Sequence, residues 1–200
     1  MRTSRLEAFS DGVLAIIITI SVLELRPPHG TDLAALWSRH AIFFTYALSF
    51  AYVGIYWNNH HHLLHVTERV TGGILWANLM LLFWLSLFPF AAGWMGGSGF
   101  AALPTAVYGV VLLLAGSAYY GLERTIIRSQ GRDSLLASAV GADRKGRLSI
   151  VLYAVSIPLA FAAPLASNAL FVIVAVIWLV PDRRIERTVG TRERSGDGSG

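Results

Sequence analysis

Cysteine is absent from this sequence, so disulfides and thiolate metal sites are excluded and the redox compartment is left open. Charge is also scarce. Asp, Glu, Lys and Arg supply 14% of the 200 residues, against 54% hydrophobic. That balance points away from a soluble domain and toward the bilayer. The formal net charge of +4 does not read as a nucleic-acid face, because the cations cluster between apolar spans. No repeat at a solenoid period is visible, and the two halves of the chain do not obviously match each other. No small-residue cleavage site follows the first apolar run either. Glu7 and Asp11 interrupt its approach and Glu24 and Arg26 stand where cleavage would fall, so removal as a signal peptide is not expected.

What the sequence does contain is a series of apolar segments near the length a membrane helix needs. The pattern predicts an all-α integral membrane protein with six spans, at about 6–25, 41–57, 74–93, 101–122, 148–163 and 168–180. Residues 1–181 would form one domain, followed by a disordered, charged and Gly/Ser-rich tail over 182–200. Arg26-Pro27-Pro28 closes the first segment, and Pro164 with Ser167-Asn168 marks a hairpin between the last two. The charged stretch 123–147 is expected to extend the fourth helix before turning back. Six spans put the N-terminus, the linkers after segments two and four, and the tail on one side. Of the sixteen Arg and Lys, about fourteen fall there, leaving Arg26 and Arg39 opposite, so both termini are expected in the cytoplasm.

The first segment is unusual for a membrane helix. Arg5, Glu7, Ser10, Asp11, Thr19, Ser21 and Glu24 are distributed along it, and ionisable groups in hydrocarbon are expensive unless they face other helices or a water-filled path. On a wheel of about 100° per residue, with Ile16 at zero, Ile20 lies about 40° away and Leu23 about 20° the other way. Thr19 borders the same stripe, while Ser10 and Asp11 lie about 120° and 140° off it. One face is a ladder of aliphatics and the other carries polar groups. Ile17, about 100° round, is expected to lie off the aliphatic stripe and to tolerate a polar substitution with far less effect than Ile16.

The string Arg5-x-x-x-Phe9-Ser10-Asp11-Gly12, with Ala15-Ile16 and Thr19, resembles the first-helix signature of the transmembrane protein 175 family in its bacterial form, a family of potassium-permeable channels. Trp57-Asn58-Asn59-His60-His61, Asn78 and Phe88-Pro89-Phe90 also match, and the resemblance covers about 5–180. It implies a homotetramer in which four first helices line a pore that passes potassium and other monovalent cations through the cell (inner) membrane. In relatives the constriction is aliphatic and falls on positions matching Ile16, Ile20 and Leu23, with Thr19 alongside. In this reading Arg5, Phe9, Ser10 and Asp11 brace the helix from behind, and a hydrogen-bonded network of Arg5, Ser10 and Asp11 with Trp57 and His60 or His61 is expected. Partners are membrane lipid and further copies of the chain, with no nucleic acid and no cofactor.

The Thr-Val-Gly-Tyr-Gly carbonyl filter of familiar potassium channels is missing. The nearest string, Thr105-Ala106-Val107-Tyr108-Gly109, lacks the middle Gly and sits in an unbroken apolar run, so it reads as ordinary helix. A ring of aliphatics would instead gate by dewetting. His60, His61, His62 and His65 invite a zinc reading, but only His61 and His65 share a helical face and no third ligand follows. No metal is expected. Arg124, Arg128 and Arg132 recur every four residues, as a voltage sensor would, but topology and head-group contact explain them better. Trp37, Trp57, Trp94 and Trp178 sit near span ends, as interfacial aromatics do. A secondary transporter using Asp11 and Glu24 as coupling carboxylates is the alternative, though broken helices and inverted repeats are not evident. An enzyme is not expected, since no nucleophile or mid-membrane acid–base pair accompanies the histidines.

Overall fold

The computed structural model describes residues 3–131 and 144–179. The expected tail, Arg132 and most of the linker before 144 lie outside the described residues. Among the described residues there are eight helices and no strands: α1 (Thr3–Leu23), α2 (Leu33–Trp37), α3 (His40–His65), α4 (Gly72–Ser86), α5 (Phe88–Gly97), α6 (Ala102–Gln130), α7 (Arg144–Ala162) and α8 (Pro164–Leu179). The runs 3–23, 72–97, 102–130 and 144–162 are each long and apolar enough to cross a membrane, and α8 is a shorter apolar helix. The 26 residues of α3 are long enough, but Ser, Thr, Tyr and five His dilute its apolar character.

The helix ends differ from the sequence expectation in ways that have physical causes. The histidine run, expected in a linker, is the last turns of α3. Its side chains find partners on α1 and α4, which holds the backbone helical past the apolar stretch. The expected polar linker after the first span contains the short α2, opened by Asp32 accepting from the Ala35 N–H at 2.8 Å. The third apolar segment is broken at Leu87. Pro89 has no N–H to continue the ladder, so the chain bends and restarts as α5. The hairpin before α8 is tighter than expected. Only Ala163 lies between α7 and α8, and Ser167 and Asn168 are inside α8, with Pro164 at the start of the helix where a missing N–H costs nothing.

α1 packs against α3, α4 and α5, and α6 is the centrepiece between α4 and α7. The middle of the bundle is aromatic. Tyr52 meets Phe88 edge-on at 6.2 Å, and Tyr108 meets Phe171 at 5.4 Å. Their hydroxyls are satisfied, Tyr52 donating to the Phe171 carbonyl at 2.6 Å and Tyr108 sharing a 3.0 Å bond with Ser49. Buried tyrosine is tolerated only with such partners. The backbones of α3 and α5 approach so closely that a Cβ at Gly96 would sit 2.9 Å from the Ile42 Cα. Trp76, Phe83, Phe90 and Phe161 are exposed on the outside, which suits lipid rather than water. Together these features make a multi-pass membrane protein.

Candidate functional site

α1 is divided lengthwise. Leu6, Ser10, Leu14, Ile17 and Ser21 are buried, an i, i+4, i+8, i+11, i+15 series that fills one helical stripe. Ser10 and Ser21 turn their hydroxyls back onto the Leu6 and Ile17 carbonyls at 2.9 and 2.8 Å, which lets polar side chains sit in the core. The opposite stripe is open. Ile16 is 58% exposed, Ile20 46% and Leu23 74%. Thr19 is exposed beside them and donates to the Ile16 carbonyl at 2.9 Å, leaving its oxygen lone pairs outward. Ile17 is only 3% exposed, so a polar residue there meets the core. The expectation that it would tolerate one is corrected, because 100° of rotation carries it from the open face into the packed one.

The polar groups behind α1 form two ladders. Asn78 of α4 bridges the first: His60 Nε2–H donates to its Oδ1 at 2.7 Å, and its Nδ2–H donates to Ser10 Oγ at 3.0 Å. Ser10 in turn donates to the Leu6 carbonyl, so donors point one way from α3 through α4 into α1. His60 and Ser10 are 1% and 0% exposed, and Asn78 is fully buried. The second ladder lies nearer the surface. Trp57 Nε1–H donates to Asp11 Oδ1 at 3.1 Å, and His61 Nδ1 to Glu7 Oε1 at 2.6 Å. Glu7 and Asp11 are four apart on α1, and Trp57 and His61 are four apart on antiparallel α3, so the rungs match one turn at a time.

The structure thus brings together Ser10, Asp11, Trp57, His60 and His61. It does not bring in Arg5 or Phe9. Both are exposed, and Arg5 makes no hydrogen bond or ion pair among the described residues. The reason is helical phase: Arg5 and Phe9 lie about 20° to either side of Ile16 on the wheel, on the open stripe rather than behind it. Two members of the network are not among the residues expected for it. Asn78 had a signal, being the one amide in an otherwise apolar third segment, and Glu7 had the four-residue spacing to Asp11.

The histidine run divides between the ladders. His60 points into the core and His61 to Glu7, while His61 and His65 stack at 6.2 Å. Among the described residues no group of three or more His, Cys, Asp or Glu could hold a metal ion. Asp11 and Glu24 do not share a site. Thirteen residues along a helix separate them by about 20 Å, with Asp11 held by Trp57 and the Glu24 carboxylate over Gly93 of α5. The Thr105–Gly109 string is buried within α6 except for Val107.

A family model described as the endosomal/lysosomal potassium channel TMEM175 matches residues 5–89, which include both ladders and the open stripe. A potassium channel of Chryseobacterium sp. (strain P1-3) is 51% identical over 189 residues, covering 94% of this chain and 98% of that protein. The human endosomal/lysosomal proton channel TMEM175 is 37% identical over 92 residues, 40% of this chain and 18% of that one. The crystal structure of a lysosomal potassium-selective channel TMEM175 homolog from Chamaesiphon minutus shares the fold. Its TM-score is 0.79 at 24% identity, over 89% of this chain and 96% of that one. With nearly its whole length aligned to a bacterial potassium channel at half identity, the chain belongs to the TMEM175 family in its bacterial form.

Proposed function

We propose that this chain is a potassium-permeable cation channel of the cell (inner) membrane, a homotetramer of six-span subunits with both termini in the cytoplasm. In this reading four α1 helices surround the pore, and Ile16, Ile20 and Leu23 form successive aliphatic rings with Thr19 between them. The named relatives support the conduction of potassium. The observation that carries the choice of helix is the lengthwise division of α1. Its back is tied by hydrogen bonds to two neighbours, and its front, from Phe9 to Leu23, is uncovered and, apart from Thr19, apolar. A helix that served only as a lipid-facing wall would have no need of such bracing. Aliphatic rings hold back ions by dewetting. Potassium sheds part of its water shell at lower cost than sodium, so it crosses more readily, and Thr19 oxygens offset part of that cost. The pore needs no metal or cofactor.

The test is Ile16→Asn in liposomes or a planar bilayer under potassium and sodium gradients. Symmetry changes four side chains at once, wetting the ring and raising sodium current proportionally more than potassium current. Unchanged selectivity, with selectivity instead lost on substitution of lipid-facing Phe83, would place the pore elsewhere.

A further inference from the structure

Away from α1, a cavity opens between α3, α6, α7 and α8. It is a narrow slot of about 40 Å³ that opens to the surface at a mouth, room for a slender group rather than a whole small molecule. Its walls are Tyr52, Tyr56, Tyr119, Tyr120, Tyr153 and Trp178. Most of their polar atoms are spent on the protein. Tyr52 donates to the Phe171 carbonyl, Tyr119 to the Asn59 carbonyl at 3.2 Å, and Trp178 to Ser149 Oγ at 2.8 Å. Tyr120, half-buried, and Tyr56 are the exceptions, and the deeper of them is Tyr56. It is 8% exposed, and its hydroxyl has no hydrogen-bond partner among the described residues. Its oxygen is open to the cavity, where an acceptor that enters can reach it. The hydroxyl points across the cavity to Gly116, where a Cβ would lie 3.7 Å from the Tyr56 oxygen and 3.6 Å from the Tyr153 ring. A methyl at 116 would make ordinary contact with both tyrosines, whereas a longer side chain would fill the space in front of Tyr56.

The mouth is at the basic end of these helices. Gly146, on its rim, is flanked by Arg144, Lys145 and Arg147, and the Arg124 guanidinium lies 4.8 Å over the Tyr120 ring. An aromatic cage alone would suit an organic cation, but cations around the entrance oppose one. Apolar walls below a basic rim suit an amphiphile with an anionic head, and basic pockets between membrane helices bind such head groups.

We propose that this cavity is a binding site for an anionic phospholipid of the adjacent leaflet. An acyl chain lies between the tyrosines, an ester carbonyl accepts from Tyr56, and the phosphate rests at the Arg124 and α7 rim. The site is separate from the α1 stripe and the proposal does not rest on the channel reading.

The test is fluorescence quenching of the full-length protein in neutral nanodiscs carrying a small fraction of acyl-brominated phosphatidylglycerol or phosphatidylcholine. The signal read is the part that Trp178→Phe removes. The phosphatidylglycerol is expected to quench it at about fivefold lower mole fraction, the advantage of one basic side chain near an anionic head. Gly116→Leu, which fills the cavity, should abolish the difference, and Gly116→Ala, whose methyl fits, should leave it largely intact. Tyr56→Phe removes only the hydroxyl and should narrow it, which keeps the test available if Gly116→Leu does not fold. Equal quenching by the two lipids would mean ordinary contact with bulk lipid and would overturn the proposal. So would a preference that survives both Gly116→Leu and Tyr56→Phe, or one lost equally in Gly116→Ala.

Discussion

Asn78→Leu isolates the clamp behind α1. Leucine has similar volume, so the change removes two polar contacts with little alteration of packing. His60 Nε2–H then faces hydrocarbon in a site where His60 is 1% exposed, and its Nδ1 already has no partner among the described residues. Leaving a buried donor unpaired costs about 1–3 kcal/mol. Ser10 loses an incoming hydrogen bond but keeps its own to Leu6, a further ~1 kcal/mol. The total is about 2–4 kcal/mol. Trp57→Phe breaks a bond of similar length, but Trp57 is half exposed and Asp11 is rehydrated, so that loss is nearer about 0.5–1 kcal/mol. Both are measured as unfolding midpoints of purified protein in one detergent. The decisive variant is His60→Leu/Asn78→Leu. Removing both partners leaves no buried donor unpaired and only Ser10 without its incoming bond, so the double variant should recover more than half of the single variant's loss. A double variant no more stable than Asn78→Leu, or an Asn78→Leu loss no greater than that of Trp57→Phe, would refute the reasoning.

Ile17→Asn places an amide in the core and should lower folded yield on size-exclusion chromatography, in contrast to Ile16→Asn, which should give normal yield and altered current. Gly96→Ala should cost about 1–3 kcal/mol by pressing α5 away from Ile42 and Thr45 of α3, read as a lower melting temperature; an unchanged melting temperature would show that the helices separate freely. Asp11→Ala should impair assembly or conduction without selectively changing ion preference, checked by cross-linking and by potassium and sodium flux on the same preparation. Reporter fusions after Pro28, Gly97 and Pro164 should mark the side opposite the termini, and a cytoplasmic signal after Gly97 would contradict the six-span arrangement.

Composition and the spacing of apolar runs by themselves determined that this is a helical membrane protein, because a bilayer demands helices of a certain length and almost any such helix betrays itself by hydropathy. The wheel likewise separated Ile16, Ile20 and Leu23 from Ser10, since the period of a helix is set by local backbone geometry. What only the tertiary structure decided was which partner each polar group on α1 takes. Asn78 reaches Ser10 across 68 positions of sequence and Trp57 reaches Asp11 across 46, and no local rule states which helix packs beside α1. The wheel angle of Arg5 and Phe9 was available in the sequence, yet a charged residue and an aromatic close to Ser-Asp suggested a shared network. Their place on the open stripe became plain only when α3 and α4 were seen to occupy the other side. The bend at Leu87 is local, fixed by the missing N–H of Pro89. The length of α3 is not, because its last turns are apolar-poor and stay helical through bonds made to α1 and α4. The cavity before Tyr56 is the furthest from sequence, since it needs Gly116, Tyr153 and Trp178 from three different helices to meet.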